Sequence, residues 1–180
     1  STAAIVFGGY DESPPNYSTA TEKWNGSSWT EVNNLNTARY NIGGAGLSTA
    51  GIAIGGVVST PATSAKVESY DGTNWTSNPA SPNSTLSGRV GIGTASSGLL
   101  LGGNPYSPTA SIAELWNGTV FSNDATLSVL QSDGQSSNSA TGPVAGYITS
   151  GSNPTTPGSA LTTTQEYTAT INEAQIVTTS

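Results

Sequence analysis

The sequence predicts an all-β fold made of four copies of one unit, because three landmarks recur in register along 180 residues. The first is an apolar run stopped by glycine: Ala3–Gly9 (AAIVFGG), Gly51–Gly56 (GIAIGG), Gly98–Gly103 (GLLLGG) and a degraded Gly146–Gly151 (GYITSG). The second is a glutamate two residues before an aromatic that leads into Asn-Gly or Asp-Gly: Glu22 and Trp24, Glu68 and Tyr70, Glu114 and Trp116. The third is Trp29, Trp75 and Phe121, five residues after that aromatic. Gly8, Gly55 and Gly102 stand 47 residues apart, and Gly103 and Gly151 stand 48 apart.

Taken in order, Ala3–Phe7 is a short branched apolar run and reads as a strand buried on both faces. Gly8-Gly9, like Gly55-Gly56 and Gly102-Gly103, lets the backbone turn with positive φ. Tyr10–Thr19 is a polar, proline-containing loop. Thr21–Trp24 and Ser28–Val32 alternate as strands about Asn25-Gly26, which predicts a hairpin with a type I′ turn; Asp71-Gly72 and Asn117-Gly118 repeat the device. One more strand precedes each later copy: Arg39–Leu47, Arg89–Ala95 and a weaker 138–144. Gly44 and Gly46 align with Gly91 and Gly93 one period on, and glycines so dense in a strand allow close backbone approach at a crowded axis. The tail holds a last strand-like run at Ala174–Thr178, needed as the fourth strand of its own copy.

Four short strands in about 47 residues match one propeller blade. One domain over 1–180 is predicted, with repeats at about 1–36, 37–80, 87–124 and 137–180. The first lacks its opening strand and the last is degenerate. The order of landmarks resembles the kelch repeat: an apolar strand ending in Gly55-Gly56, then Glu68 and Tyr70, then Trp75, with Arg89 opening the next unit and Arg39 the one before. The resemblance implies a kelch-type β-propeller, incomplete or completed by oligomerisation. The wording Trp-Asn-Gly-x-x-Trp with Asn-Thr-Ala-Arg also resembles kelch-like arrays in structural, appendage or tail proteins of aquatic bacteriophages.

Composition narrows the function. Charged residues are 8 % of the chain, and Ser, Thr, Asn and Gly supply the polarity. A net charge of −7 with four basic residues argues against nucleic acid, and no apolar run is long enough for membrane insertion as a helix. With no His and no Cys, the copper chemistry of galactose-oxidase-like kelch enzymes is excluded, and neither a metal nor a cofactor is expected. Ser1 leads directly into a strand-like run without an initiator Met or a signal region, so a processed chain or part of a longer one is expected.

The recurring Glu22, Glu68 and Glu114 read as structural carboxylates that accept buried amides or pair with Arg39 and Arg89. Trp24, Trp29, Tyr70, Trp75, Trp116 and Phe121 read as core between blades, with a sugar-stacking ladder as the alternative. Loops vary on one face of the meander, where the second strand meets the third and the fourth meets the next copy, and variable loops on a rigid scaffold are where binding is placed. The ligand-binding candidates there are Tyr10, Asp11, Glu12, Tyr17, Asn104 and Tyr106, which set aromatic platforms beside carboxylate or amide groups; each also reads as a solvated turn residue beside Pro14, Pro15, Pro105 or Pro108. A glycosidase would need two carboxylates about 5–10 Å apart. The one close pair outside the repeat positions is Asp11-Glu12, and neighbours on a loop rarely point together.

The expectation is a non-enzymatic structural or adhesin module on a virion or cell surface, with a host-surface glycan as ligand and identical or neighbouring subunits as partners. An intracellular kelch scaffold is the alternative, and a carbohydrate-active enzyme ranks third. An unpaired edge at the incomplete first copy is expected to lie near a subunit contact.

Overall fold

The structure is a computed structural model and describes residues 2–59, 62–104, 111–129, 131–136, 145–149, 151–152, 160–161, 164–170 and 173–179, with side chains described outside 135–149 and 167–179. It is all-β. Sheet one holds β1 (Ala4–Phe7), β2 (Thr21–Trp24) and β3 (Trp29–Val32). Sheet two orders β4 (Gly43–Leu47), β5 (Ala50–Ile54), β8 (Val67–Tyr70) and β9 (Trp75–Asn78), with a small hairpin, β6 (Val57–Ser59) and β7 (Ala62–Thr63), inserted between its middle strands. Sheet three is β10 (Val90–Thr94), β11 (Ser97–Leu101), β12 (Ile112–Trp116) and β13 (Phe121–Thr126). Sheet four is β14 (Gln135–Ser136), β15 (Ala145–Thr149), β16 (Thr164–Thr170) and β17 (Glu173–Thr179).

Among the described residues, neighbouring strands in each sheet pair antiparallel. Three of the sheets thus carry the four strands expected of a unit, and the first carries three. The glycine pairs do turn the chain with positive φ: 66° and 131° at Gly8 and Gly9, 68° and 92° at Gly55 and Gly56, 65° and 125° at Gly102 and Gly103.

Packing runs face to face between successive sheets. Tyr70 and Trp75 of sheet two bury against Ile5 and Phe7 of sheet one, together with Leu35, Ile42 and Ala53. Trp116 and Phe121 of sheet three repeat that step against Ile52, Ile54 and Val67, with Leu100 beside them. The far side of sheet three gathers Val90, Ile92, Leu99, Leu101, Ala113 and Leu127, where β10 and β13 approach β14 and β17. Each buried indole keeps a partner for its N–H: Trp75 Nε1 donates to Thr21 Oγ1 at 3.1 Å, and Trp116 Nε1 to the Ala95 carbonyl at 2.8 Å. The first strands of sheets two and three, β4 and β10, also pack together, and a Cβ on Gly91 would overlap the Gly44 carbonyl. This is the close approach that the aligned glycines anticipated.

Five expectations need correction. β1 is not buried on both faces: Ala4, Ile5 and Phe7 are half-buried and Val6 is 47 % exposed. The hairpins at Asn25-Gly26, Asp71-Gly72 and Asn117-Gly118 are not two-residue type I′ turns. The last strand pairs are Trp24 with Trp29, Tyr70 with Trp75 and Trp116 with Phe121, so each loop has four residues, and only its glycine has positive φ. The Asn or Asp side chain closes the loop instead, since Asn25 Oδ1 accepts from the N–H groups of Ser27 and Ser28 at 2.9 and 3.0 Å. Trp24 and Trp29 are not core: Trp24 is half-buried and Trp29 is 48 % exposed, because among the described residues no sheet lies against their side of sheet one. The strand from Arg39 begins only at Gly43, since Arg39 is wholly buried and turned into sheet two. The opening strand of the fourth copy is β14, at 135–136, while 138–144 lies outside the described residues.

Candidate functional site

The repeated carboxylates separate into two environments. Glu68 accepts from Arg39 Nη2 at 2.9 Å, from the Asn36 N–H at 2.7 Å and from Asn36 Nδ2 at 2.9 Å. Arg39 Nη1 in turn donates to the Gly55 and Lys66 carbonyls at 2.7 and 2.9 Å. Glu114 accepts from Arg89 Nη1 at 2.6 Å and from the Asn83 and Ser84 amides at 2.8 and 3.1 Å. Burial pulls both guanidinium groups below their ordinary pKa, and the facing glutamates partly offset that pull. These buried clamps tie each incoming segment to its sheet and are closed to a ligand. Glu22, in contrast, is exposed on sheet one.

Sheet four makes the same clamp without charge, which the sequence search for a glutamate missed. Gln165 Nε2 donates to Gln131 Oε1 at 2.7 Å and to the Val129 carbonyl at 2.8 Å, while its Oε1 accepts from the Val129 N–H at 3.1 Å. The available signal was spacing, since Gln165 stands two residues before Tyr167 as Glu68 does before Tyr70.

On the loop face the structure brings together three tyrosines. Tyr10 and Tyr17 form an antiparallel bridge across the loop from β1 to β2, with rings 6.2 Å apart at 74°. Tyr40, on the connection from β3 to β4, stacks on Tyr17 at 5.5 Å and 11° and meets Tyr10 edge-on at 5.3 Å. Backbone bonds fix the two segments to each other, from Gly9 N to the Arg39 carbonyl at 2.8 Å and from Arg39 N to the Ser18 carbonyl at 3.1 Å. Tyr40 also pairs with Val57, the residue one period after Tyr10. Tyr10 is 59 % exposed, so its ring stands open to solvent beside two half-buried ones.

The remaining candidates divide. Asp11 shapes the loop, because its Oδ1 accepts from the Ser13 N–H at 2.9 Å, and Asn16, at φ 68°, reaches back to the Asp11 and Glu12 carbonyls at 3.0 and 3.3 Å. Glu12 is exposed next to it. Asn104 is elsewhere, on the connection from β11 to β12, its backbone paired with Ser87 through two bonds of 2.8 Å. Tyr106 lies outside the described residues. Sequence reasoning missed Tyr40, although its place directly after Arg39 puts it on a loop of the same face. Among the described residues no three His, Cys, Asp or Glu side chains converge as a metal site. The arrangement can stack an apolar ring face and offer phenol hydroxyls at its rim.

No family model and no curated protein matches this chain. Its fold has relatives. Among solved structures it is similar to "Structure of YjhT", with a TM-score of 0.70 and 15 % sequence identity over 89 % of this chain. The chain spans 52 % of that one, and at such identity the likeness concerns the fold alone.

Proposed function

We propose that the chain is a kelch-type β-propeller segment that works as a non-enzymatic structural and binding module on a virion or cell surface, taking a host-surface glycan on the tyrosine cluster. The observation that carries the reading is the meeting of Tyr10, Tyr17 and Tyr40 from two loops on one face. Aromatic faces cover the apolar side of a sugar ring at little conformational cost, and the backbone bonds around Arg39 hold the rings in place before a ligand arrives. Repeat spacing, four-stranded meanders and the fold likeness support the propeller part. The low charge and hydroxyl-rich composition support the surface location, and the uncovered Val6, Trp24 and Trp29 side of sheet one supports packing against an identical or neighbouring subunit.

A glycan array on the purified chain, followed by Tyr10→Ala and Tyr40→Ala, tests the site. Each substitution is expected to weaken binding about tenfold, the loss that removal of one aromatic anchor brings. Unchanged binding in both variants would remove the cluster as the site, and a blank array would leave only the structural role.

A further inference from the structure

Among the described residues the inner edge of sheet one is open. β1 pairs with β2 on one side, and among the described residues no strand lies on the other. The equivalent strands are covered there: β5 carries β4, and β11 carries β10. Counting by the 47-residue period, Ala4 to Phe7 correspond to Gly51 to Ile54 and to Gly98 to Leu101. Beside β1 runs a groove of about 430 Å³ lined by Ile5, Phe7, Ile42, Gly44, Ala45 and Gly91. It shares Ile5 and Gly46 with a second hollow of about 460 Å³ that reaches Thr2, Leu47 and Thr49.

We propose that this groove is a strand-acceptor site, and that its occupant is an extended segment, uncharged where it pairs and patterned like β4 and β10, which adds antiparallel to β1. The covered sheets set the register. Gly44 lies opposite Ala53 and Gly91 opposite Leu100, so the occupant places a glycine opposite Val6. It places a small or branched apolar residue opposite Ile5, as Ala45 and Ile92 do opposite Ile52 and Leu99. The glycines of the covered strands face the sheet before them: a Cβ on Gly91 would run into the Gly44 backbone, and a Cβ on Gly44 would meet the Phe7 ring at 2.8 Å in the groove itself, so the bare backbone of Gly44 keeps the groove open. No charged side chain lines either hollow, so a charged segment would give up its hydration without a partner. Alternate β1 residues turn their N–H and C=O groups to this edge, and main-chain pairing supplies the affinity as in other strand additions.

Ser1-Thr2-Ala3 repeats Ser48-Thr49-Ala50 at the same period, so a copy of Arg39–Leu47 joined ahead of Ser1 recreates the turn between β4 and β5. Hydrogen exchange on the full chain with this extension is expected to slow at the β1 amides about tenfold or more, because edge amides exchange through small local openings that pairing suppresses. An extension with aspartate in place of the residue corresponding to Ala45, which faces the apolar groove opposite Ile5, should give no such slowing. The free peptide RYNIGGAGLST, added to the unextended chain, should protect β1 and leave β13 unchanged. Exchange unaltered by both extension and peptide would overturn the proposal, as would equal protection by the aspartate form. Protection of β1 already present in an unextended chain that sediments as a dimer would overturn it too, assigning the edge to a second copy.

Discussion

Trp75 and Trp29 hold the same place in the repeat and differ in what covers them. Trp75 is 6 % exposed, with Phe7 edge-on at 4.8 Å, whereas Trp29 is 48 % exposed and leans on Trp24 at 5.6 Å. Trp75→Ala should therefore cost about 3–5 kcal/mol, transfer and cavity terms together, and Trp29→Ala less than about 1 kcal/mol; urea unfolding of both variants checks the contrast. The glutamates differ in the same way. Glu114→Ala would strand a buried Arg89 and two amides, for a loss of about 3–5 kcal/mol, while Glu22→Ala, on an exposed strand, should change stability by no more than about 0.5 kcal/mol in the same measurement. A common sequence position thus does not mean a common energy, because the cost is set by the sheet that packs against it.

At the scale of the element, the hairpin loops show how a neutral amide and a carboxylate can do one job. Asp71 Oδ1 accepts from the Thr73 and Asn74 amides at 2.8 and 2.7 Å, as Asn117 Oδ1 does from Thr119 and Val120 at 2.9 Å each. Those amides hold the Asp71 carboxyl below its usual range, so its contribution is present above the unfolded value of about 3.9 and fades as pH falls through the lower folded value. Asp71→Asn should leave the melting temperature at neutral pH nearly unchanged and gain on the parent chain below that range; melting curves at pH 7 and in acid check it. The strands themselves were legible, since Glu-x-aromatic and apolar-Gly-Gly are local to β2, β5 and β8 and their counterparts. The loops were not. Asn25-Gly26 suits a two-residue turn by propensity, yet the register of Trp24 against Trp29 leaves room for four residues, and register is a long-range property. The site was half legible for a related reason. Tyr10 and Tyr17 announce themselves in a polar loop, but Tyr40 joins them only through the backbone pairing of Arg39 to Gly9, and Asp11 is taken up by its own turn.

The whole molecule is a succession of sheets packed face to face, and where sheets two and three meet their inner strands nearly touch. Gly91 and Gly98 are both on the inner hairpin of sheet three and neither has positive φ, so backbone preference treats them alike. Their surroundings do not. A Cβ at Gly91 would collide with the Gly44 carbonyl and amide across the gap between sheets two and three, while a Cβ at Gly98 would find its nearest atoms at 3.4–3.7 Å, an ordinary contact. Because the obstacle at Gly91 is backbone held in the β4–β5 ladder, no side-chain rotation relieves it, and the sheets must shift apart. Gly91→Ala should then destabilise by about 1–3 kcal/mol, the usual penalty of overpacking, and Gly98→Ala should be close to neutral. The site at which the loss is felt separates this account from a simple weakening of β10. If sheet spacing is what fails, hydrogen exchange in the Gly91→Ala chain should quicken in β4 as well as in β10, since both lean on the same contact. Faster exchange confined to β10, or equal losses at Gly91 and Gly98, would show that the close approach of the inner strands does not set the arrangement of the sheets.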